Sequence, residues 1–294
     1  MGLFFSSDRF TRPGPGVRPD APRKKGVARL AEIMGRDMWN FFRAGFLAFL
    51  GCLPFIIGMF FAVETHALLF MLLAGIIGGL IAGPELSAMA DTVLRSLRDE
   101  PGYWWETYRR VWKRNARESL VPGMLTGLVL SMQIFTLFHM SVISAGIVTW
   151  VLLILRFVVT LGLESYIWPQ ISQLDLPLYG ILKNSLLLFL GYLPRSLGAI
   201  AIKAVYWGTI LLFFPLTTII LPFTNFWLPM LPALLCIYQP LNKCFTIEST
   251  INKMREDELN AALAKDNEPL PEDPTEKAEE STEASSDDSS SDVQ

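Results

Sequence analysis

The stretch "GPELSAMADTVLRSLRDEPGYWWETYRRVWKRNARESL", residues 83–120, decides the class of this chain. An apolar run closes on Gly83-Pro84, and Glu85 follows at once. Seven basic residues and three tryptophans come next, before a second apolar run begins. Placed on a helix at about 100° per residue, Trp104, Trp105, Tyr108, Val111 and Trp112 fall within one arc. Glu106, Arg109, Arg110, Lys113, Arg114 and Arg117 fill the remainder. A tryptophan-rich face backed by a basic face describes a helix lying in a membrane interface, its charges toward anionic lipid heads. Asn115 sits inside the apolar arc, and a hydrogen bond to a neighbouring helix explains it most simply. A basic, aromatic patch also suits nucleic acid, but apolar runs on both sides argue for a membrane and no nucleic-acid partner.

Composition agrees. The chain has 294 residues, 51% hydrophobic and 18% charged, with mean hydropathy +0.37. Soluble domains carry about 25% charged residues. A transmembrane helix needs about 20 mostly apolar residues. Six segments qualify: Phe41–Val63, Ala67–Met89, Leu120–Met140, Ala145–Trp168, Leu197–Leu221 and Leu228–Phe245, with five or seven spans as alternatives. The expected fold is an all-α polytopic bundle with interfacial amphipathic helices.

Charge separates the ends. Residues 256–294 hold 14 acids and 2 bases, a net of −12, whereas residues 1–255 have a net of +9. Residues 1–26 read as a disordered basic segment without an apolar leader, 27–250 as the membrane domain, and 256–294 as a disordered acidic tail. Nine bases lie in residues 1–43 and seven in 94–118. The loops "ETH", "SVIS" and "PFTNFW" have neither Lys nor Arg. The positive-inside rule then places both termini in the cytoplasm of a cell-membrane protein. Phe226 and Trp227 suit the outer interface, and Trp168 the inner one.

Charges inside spans are costly and are usually functional or paired. Arg156 falls near the middle of the fourth span with no acid at its depth. Glu164 and Lys203 come at similar depth and are expected to pair. Glu85 and Asp91 end the second span, within reach of Arg195 or the tryptophan-rich helix. These groups either fix helix register or line a polar path at the inner half of the bundle. Gly75, Gly79 and Gly83, next to Pro84, make a small-residue face for close helix packing, not a nucleotide loop. His66 and His139 fall at outer loop edges and form at most a thin metal site, so no metal and no cofactor are expected. Cys52, Cys236 and Cys244 lack the spacing of a disulfide framework or a zinc site. Nothing points to an enzyme.

"FLGCLP" (49–54) recurs as "FLGYLP" (189–194), with Pro122 roughly halfway. This suggests three parallel units, each an interfacial helix followed by a two-span hairpin. "LPLYGILKNSLLLFLGYLPRS" would then be a half-inserted element.

The motifs Leu53-Pro54, Gly83-Pro84, Leu94-Arg95, Arg98-Asp99-Glu100, Gly102-Tyr103 and Lys113 to Asn115 resemble the YesL-like family of bacterial multi-spanning membrane proteins. The later "LKNSLLLFLGYLPRSL" is similar too, so the resemblance covers roughly residues 30–250; Pro101 departs from it. The family's activity is not established. The resemblance implies an accessory or scaffold role in carbohydrate uptake, with sugar-importer permease subunits as partners. A transporter or channel for a small solute is the alternative.

Overall fold

The computed structural model describes residues 23–100, 102–140 and 146–266. Residues 1–22, Pro101, residues 141–145 with the whole "SVIS" loop, and the tail from residue 267 lie outside them. The chain divides into two units, Met1–Phe245 and Thr246–Gln294.

The first unit is helical throughout, with no strand among the described residues. Helix α1 spans Gly26–Thr65, α2 Leu68–Leu97, α3 Trp104–Phe138 and α4 Ile147–Gln173. The shorter α5, Leu178–Gly191, leads into α6, Leu193–Leu212. A 3₁₀ turn at Leu216–Ile219 and the one-turn α7, Leu221–Thr224, lead to α8, Trp227–Phe245. Counting α7 with α8, six helices are long and apolar enough to cross a membrane, as expected. The protein is an all-α, multi-pass membrane bundle. The prolines of the sixth span do not break it, since Pro232 and Pro240 sit inside α8. Such prolines are tolerated where neighbours satisfy the freed backbone groups.

The most extensive helix contact joins α2 to α3. A Cβ on Gly79 would lie 2.3 Å from the Gly123 carbonyl oxygen, and one on Gly83 2.4 Å from that of Ser119. A Cβ on Gly75 would meet Ser131 Oγ at 2.5 Å. The small-residue face is therefore used as expected. Its partner is a matching stripe on α3, Ser119, Gly123, Gly127 and Ser131, which the sequence reading missed. On its other side α2 meets α1 as closely: a Cβ on Gly78 would be 2.5 Å from Phe55 Cβ. A π-turn at Ala74–Gly78 lies within this doubly packed segment. Close backbone approach lets dispersion hold helices together in lipid, where there is no hydrophobic drive between them.

Four expectations need correction. Residues 104–117 are not a separate in-plane helix. They are the first turns of the unbroken, 35-residue α3, which accommodates Pro122. The repeated hexapeptide also differs in form: "FLGCLP" lies inside α1, whereas "FLGYLP" straddles the break at Tyr192 between α5 and α6. The fifth span ends at Leu212, nine residues short, before Phe213-Phe214-Pro215, whose proline cannot donate to a helix. Finally, "PFTNFW" is not level with "ETH". Trp227 stacks on Phe41 and Phe223 on Phe42, with ring centroids 6.0 and 6.1 Å apart. The Asn225 side chain lies where a Cβ on Gly45 would be. These α1 residues are more than 20 positions before His66, roughly 30–40 Å along the helix. Trp227 and Trp168 are both buried within the bundle.

The turn at His66 defines the far end of the bundle. There His139 Nδ1 is 2.8 Å from the Phe135 carbonyl oxygen, and His139 Nε2 is 2.7 Å from His66 Nδ1. A carbonyl only accepts, so His139 Nδ1 carries a proton, and in the neutral ring Nε2 then accepts from His66 Nδ1. No third His, Cys, Asp or Glu joins them among the described residues. Nitrogen-15 NMR at neutral pH should show Nδ1–H on both rings. A proton on His139 Nε2 would contradict this direction, because His66 Nδ1 would then be the acceptor.

In the second unit, α9 covers Ile247–Asp266. It extends into residues expected to be disordered. That segment is rich in Ala, Leu, Glu and Lys, which are strong helix formers.

Candidate functional site

The opposite, basic end carries the densest charge cluster. Helix α2 ends at Leu97, and Asp99 follows in the left-handed region at φ 60°, which Asp tolerates better than most residues. This turn aims the Asp99 carboxylate at the start of α1. Arg29 Nη2 donates to Asp99 Oδ2 at 2.7 Å and to the Leu97 carbonyl at 3.0 Å. Arg36 donates to Asp99 Oδ1 and to the Ser96 carbonyl, and Arg23 Nε approaches Asp99 Oδ2 at 3.1 Å. Three arginines of the N-terminal segment thus converge on one carboxylate and on the free carbonyls ending α2. Partial burial of Asp99 favours its neutral form. The hydrogen bonds and charges of Arg29 and Arg36 outweigh this and hold its pKa below the ordinary carboxylate value. Beside it, the buried Arg98 Nε binds Glu100 Oε1 at 2.7 Å, and Arg95 joins Asp91 at 2.7 Å.

The opening stretch divides its residues between the interior and the surface. Tyr108, Val111 and Asn115 are buried. Tyr108 Oη and Trp112 Nε1 both donate to Glu85, and Asn115 Nδ2 donates to Ser87 Oγ at 3.0 Å. The bonding expected of Asn115 is present. Arg114 Nη2 donates to the Ser172 carbonyl at 2.7 Å, tying α3 to α4. Arg43 lies over the rings of Trp39 and Trp104. Trp105, Arg109, Arg110 and Lys113 remain exposed.

Glu85 therefore contacts the tryptophan-rich stretch rather than Arg195. Asp91 bonds to Arg95 and, through Oδ1, to Gln173 Nε2 at 2.7 Å. Tyr108→Phe should lower stability by about 1–3 kcal/mol, the usual effect of leaving a partly buried acceptor short of a donor. A double-mutant cycle with Glu85→Leu, which removes both acceptor oxygens, read by unfolding in detergent, should show coupling. Strict additivity would rule the bond out as a stabilising contact.

The other intramembrane charges fall differently from expectation. Glu164 and Lys203 feel each other's charge, yet no ion pair or hydrogen bond joins them among the described residues. Arg156 is exposed. Gln133 Nε2 donates to Thr160 Oγ1 at 2.7 Å, which sets the register of α4 against α3. Arg156 is one turn farther toward the far end, about 6 Å beyond Thr160. From there its long side chain can reach the interface by snorkelling, so it needs no acid partner.

No protein-family model matches the chain, and neither a curated protein nor a solved structure is significantly similar to it.

Proposed function

We propose that this membrane protein is a non-enzymatic accessory or scaffold subunit of a larger membrane assembly. The resemblance to YesL-like proteins points to carbohydrate uptake, with importer permease subunits as the partners. The observation that carries this reading is the cross-bracing of the interior. Glu85 is tied to α3, Asp91 to α4, Gln133 to Thr160, Gln170 to Ser185 and Tyr166 to Ser196. Polar groups bonded between helices fix one packing and leave few free to handle a solute. We place the basic end in the cytoplasm of a cell membrane, by the positive-inside rule. Arg109, Arg110 and Lys113 then face anionic inner-leaflet lipids.

A second reading, a transporter or channel, is favoured by one pair. Lys203 is buried and Glu164 half-buried, yet they are not directly joined. Such charges mark solute or ion paths in other membrane proteins. Purification from native membranes in mild detergent separates the readings. Near-stoichiometric importer permease subunits support the accessory role. Recovery of the protein alone, with solute flux in liposomes lost on Glu164→Gln or Lys203→Met, supports the transporter.

A further inference from the structure

The contacts of α4, α5, α6 and α8 fix the direction in which each runs between the two ends of the bundle. Helix α4 finishes at the basic end, where Gln173 Nε2 donates to Asp91 and Arg114 donates to the Ser172 carbonyl. The chain then turns back. Helix α5 runs along α4 in the opposite sense: Gln170 Nε2 donates to Ser185 Oγ at 2.8 Å, and a Cβ on Gly162 would lie 2.7 Å from the Phe189 ring. Gly162 is two residues from Thr160, whose partner Gln133 comes six residues before His139 and the far end. A second reversal follows at Tyr192. Ser196 Oγ donates to the Phe189 carbonyl at 3.2 Å, although seven residues of continuous helix would separate them by about 10 Å. Helix α6 returns to the basic end. There Tyr206 bonds to Thr224 at 2.9 Å and Trp207 packs on Phe226, beside Phe41 and Gly45 of α1. Helix α8 starts at that level. Its 19 residues extend about 28 Å and bring Cys244 Sγ to 3.6 Å from Tyr192 Oη.

We propose that α5 is a seventh membrane crossing, so that Gly26 and Phe245 lie on opposite faces of the membrane. The 14 residues of α5 span about 21 Å. The non-helical residues 174–177 add up to about 13 Å, and together they cover a hydrocarbon core of about 30 Å. Asp175, Leu176 and Pro177 line a cavity of about 380 Å³ with Arg117 and Glu118, so unpaired backbone there faces charged groups rather than lipid. Beyond Asn184 the exposed side of α5 carries Leu186, Leu187 and Leu190, which suits lipid. Lys183 lies in the first half of α5, from where its stem can snorkel to the basic face. Six crossings would return the chain to the face it started from, whereas seven leave it on the other. Residues 246–294 hold no further run of about 20 apolar residues, so the C-terminus stays on the face that Phe245 reaches. With the basic end in the cytoplasm, as proposed above, the C-terminus is external, contrary to the expectation of two cytoplasmic termini. The charge rule is still obeyed, because the bases of residues 1–43 and 94–118 stay on one face. Only the naming of the two sides rests on the cytoplasmic placement of the basic end.

The test labels single cysteines in the full chain with a membrane-impermeant maleimide, in intact cells and after permeabilisation. Cys52 is buried, so Cys236→Ala with Cys244→Ser removes the native thiols that could react. In that background Ser285→Cys reports the C-terminal segment, and Arg109→Cys, at an exposed position of α3, reports the basic end. Ser285→Cys should label to the same extent before and after permeabilisation. Arg109→Cys should label only after it. Labelling of both from the same side overturns the seventh crossing. The reverse pattern, with only Arg109→Cys labelled in intact cells, keeps the crossing and overturns the cytoplasmic placement of the basic end.

Discussion

Gly79→Ala is expected to destabilise the bundle by about 2–3 kcal/mol, while the same change at Gly35 should stabilise it by about 0.5–1 kcal/mol. Both glycines lie inside helices, so both replacements remove the same backbone freedom from the unfolded chain. What differs is the space. A Cβ on Gly35 meets nothing within 4 Å. A Cβ on Gly79 would lie 2.3 Å from the Gly123 carbonyl oxygen and 2.9 Å from its carbon. Backbone atoms cannot rotate aside, so α2 and α3 must separate along the whole stripe. Separation would also strain the Glu85 and Asn115 bonds between the same helices. Gly79→Leu should prevent folding altogether. Unfolding temperature in detergent measures all three, and equal shifts at positions 35 and 79 would refute this account of the stripe.

The same stripe shows what a sequence reveals. Gly75, Gly79 and Gly83 are legible because small residues every fourth position have one physical use in an apolar helix. Ser119, Gly123, Gly127 and Ser131 carry the same spacing, but half of that stripe is serine and its first member sits among charges. The spans were legible from hydropathy, which depends only on local composition. Register was not. Arg156 looked central because it is central in an apolar run, whereas its depth depends on the Gln133–Thr160 contact across a loop. Likewise, the turn before α8 was assigned to the far end by assuming that crossings alternate. Its place beside Phe41 and Gly45 comes from aromatic packing between residues more than 180 positions apart. The continuity of α3 was hidden because polarity changes at residue 118 while helix propensity does not. The candidate site was half legible. Arg98-Asp99-Glu100 and the N-terminal arginines were visible as motif and charge, but their convergence needs the left-handed turn at Asp99.

That convergence makes Asp99→Asn the sharpest test of the basic end. Asparagine keeps the carboxylate's shape and also tolerates the left-handed backbone, so the change removes little besides charge. Arg29, with its side chain 6% exposed, would keep Glu32 as a charged partner and the Leu97 carbonyl as an acceptor but lose the charge of Asp99. Breaking a fully buried pair costs about 3–5 kcal/mol. Asp99 is 33% exposed, and solvent screening reduces the expected loss to about 1–2 kcal/mol. The pH dependence follows from the same contacts. The Asp99 pKa is lowered in the folded protein. Its contribution is therefore complete above the unfolded-state value of about 3.9 and is lost as pH falls through the folded-state value. The wild type should lose this increment on acidification from neutral pH to below about pH 4. Asp99→Asn should already lack it at neutral pH, so the gap between the two proteins should close in acid. Unfolding curves in detergent at neutral and acid pH measure the gap. A gap unchanged by acid would mean that the Asp99 charge does not hold α1 to the end of α2.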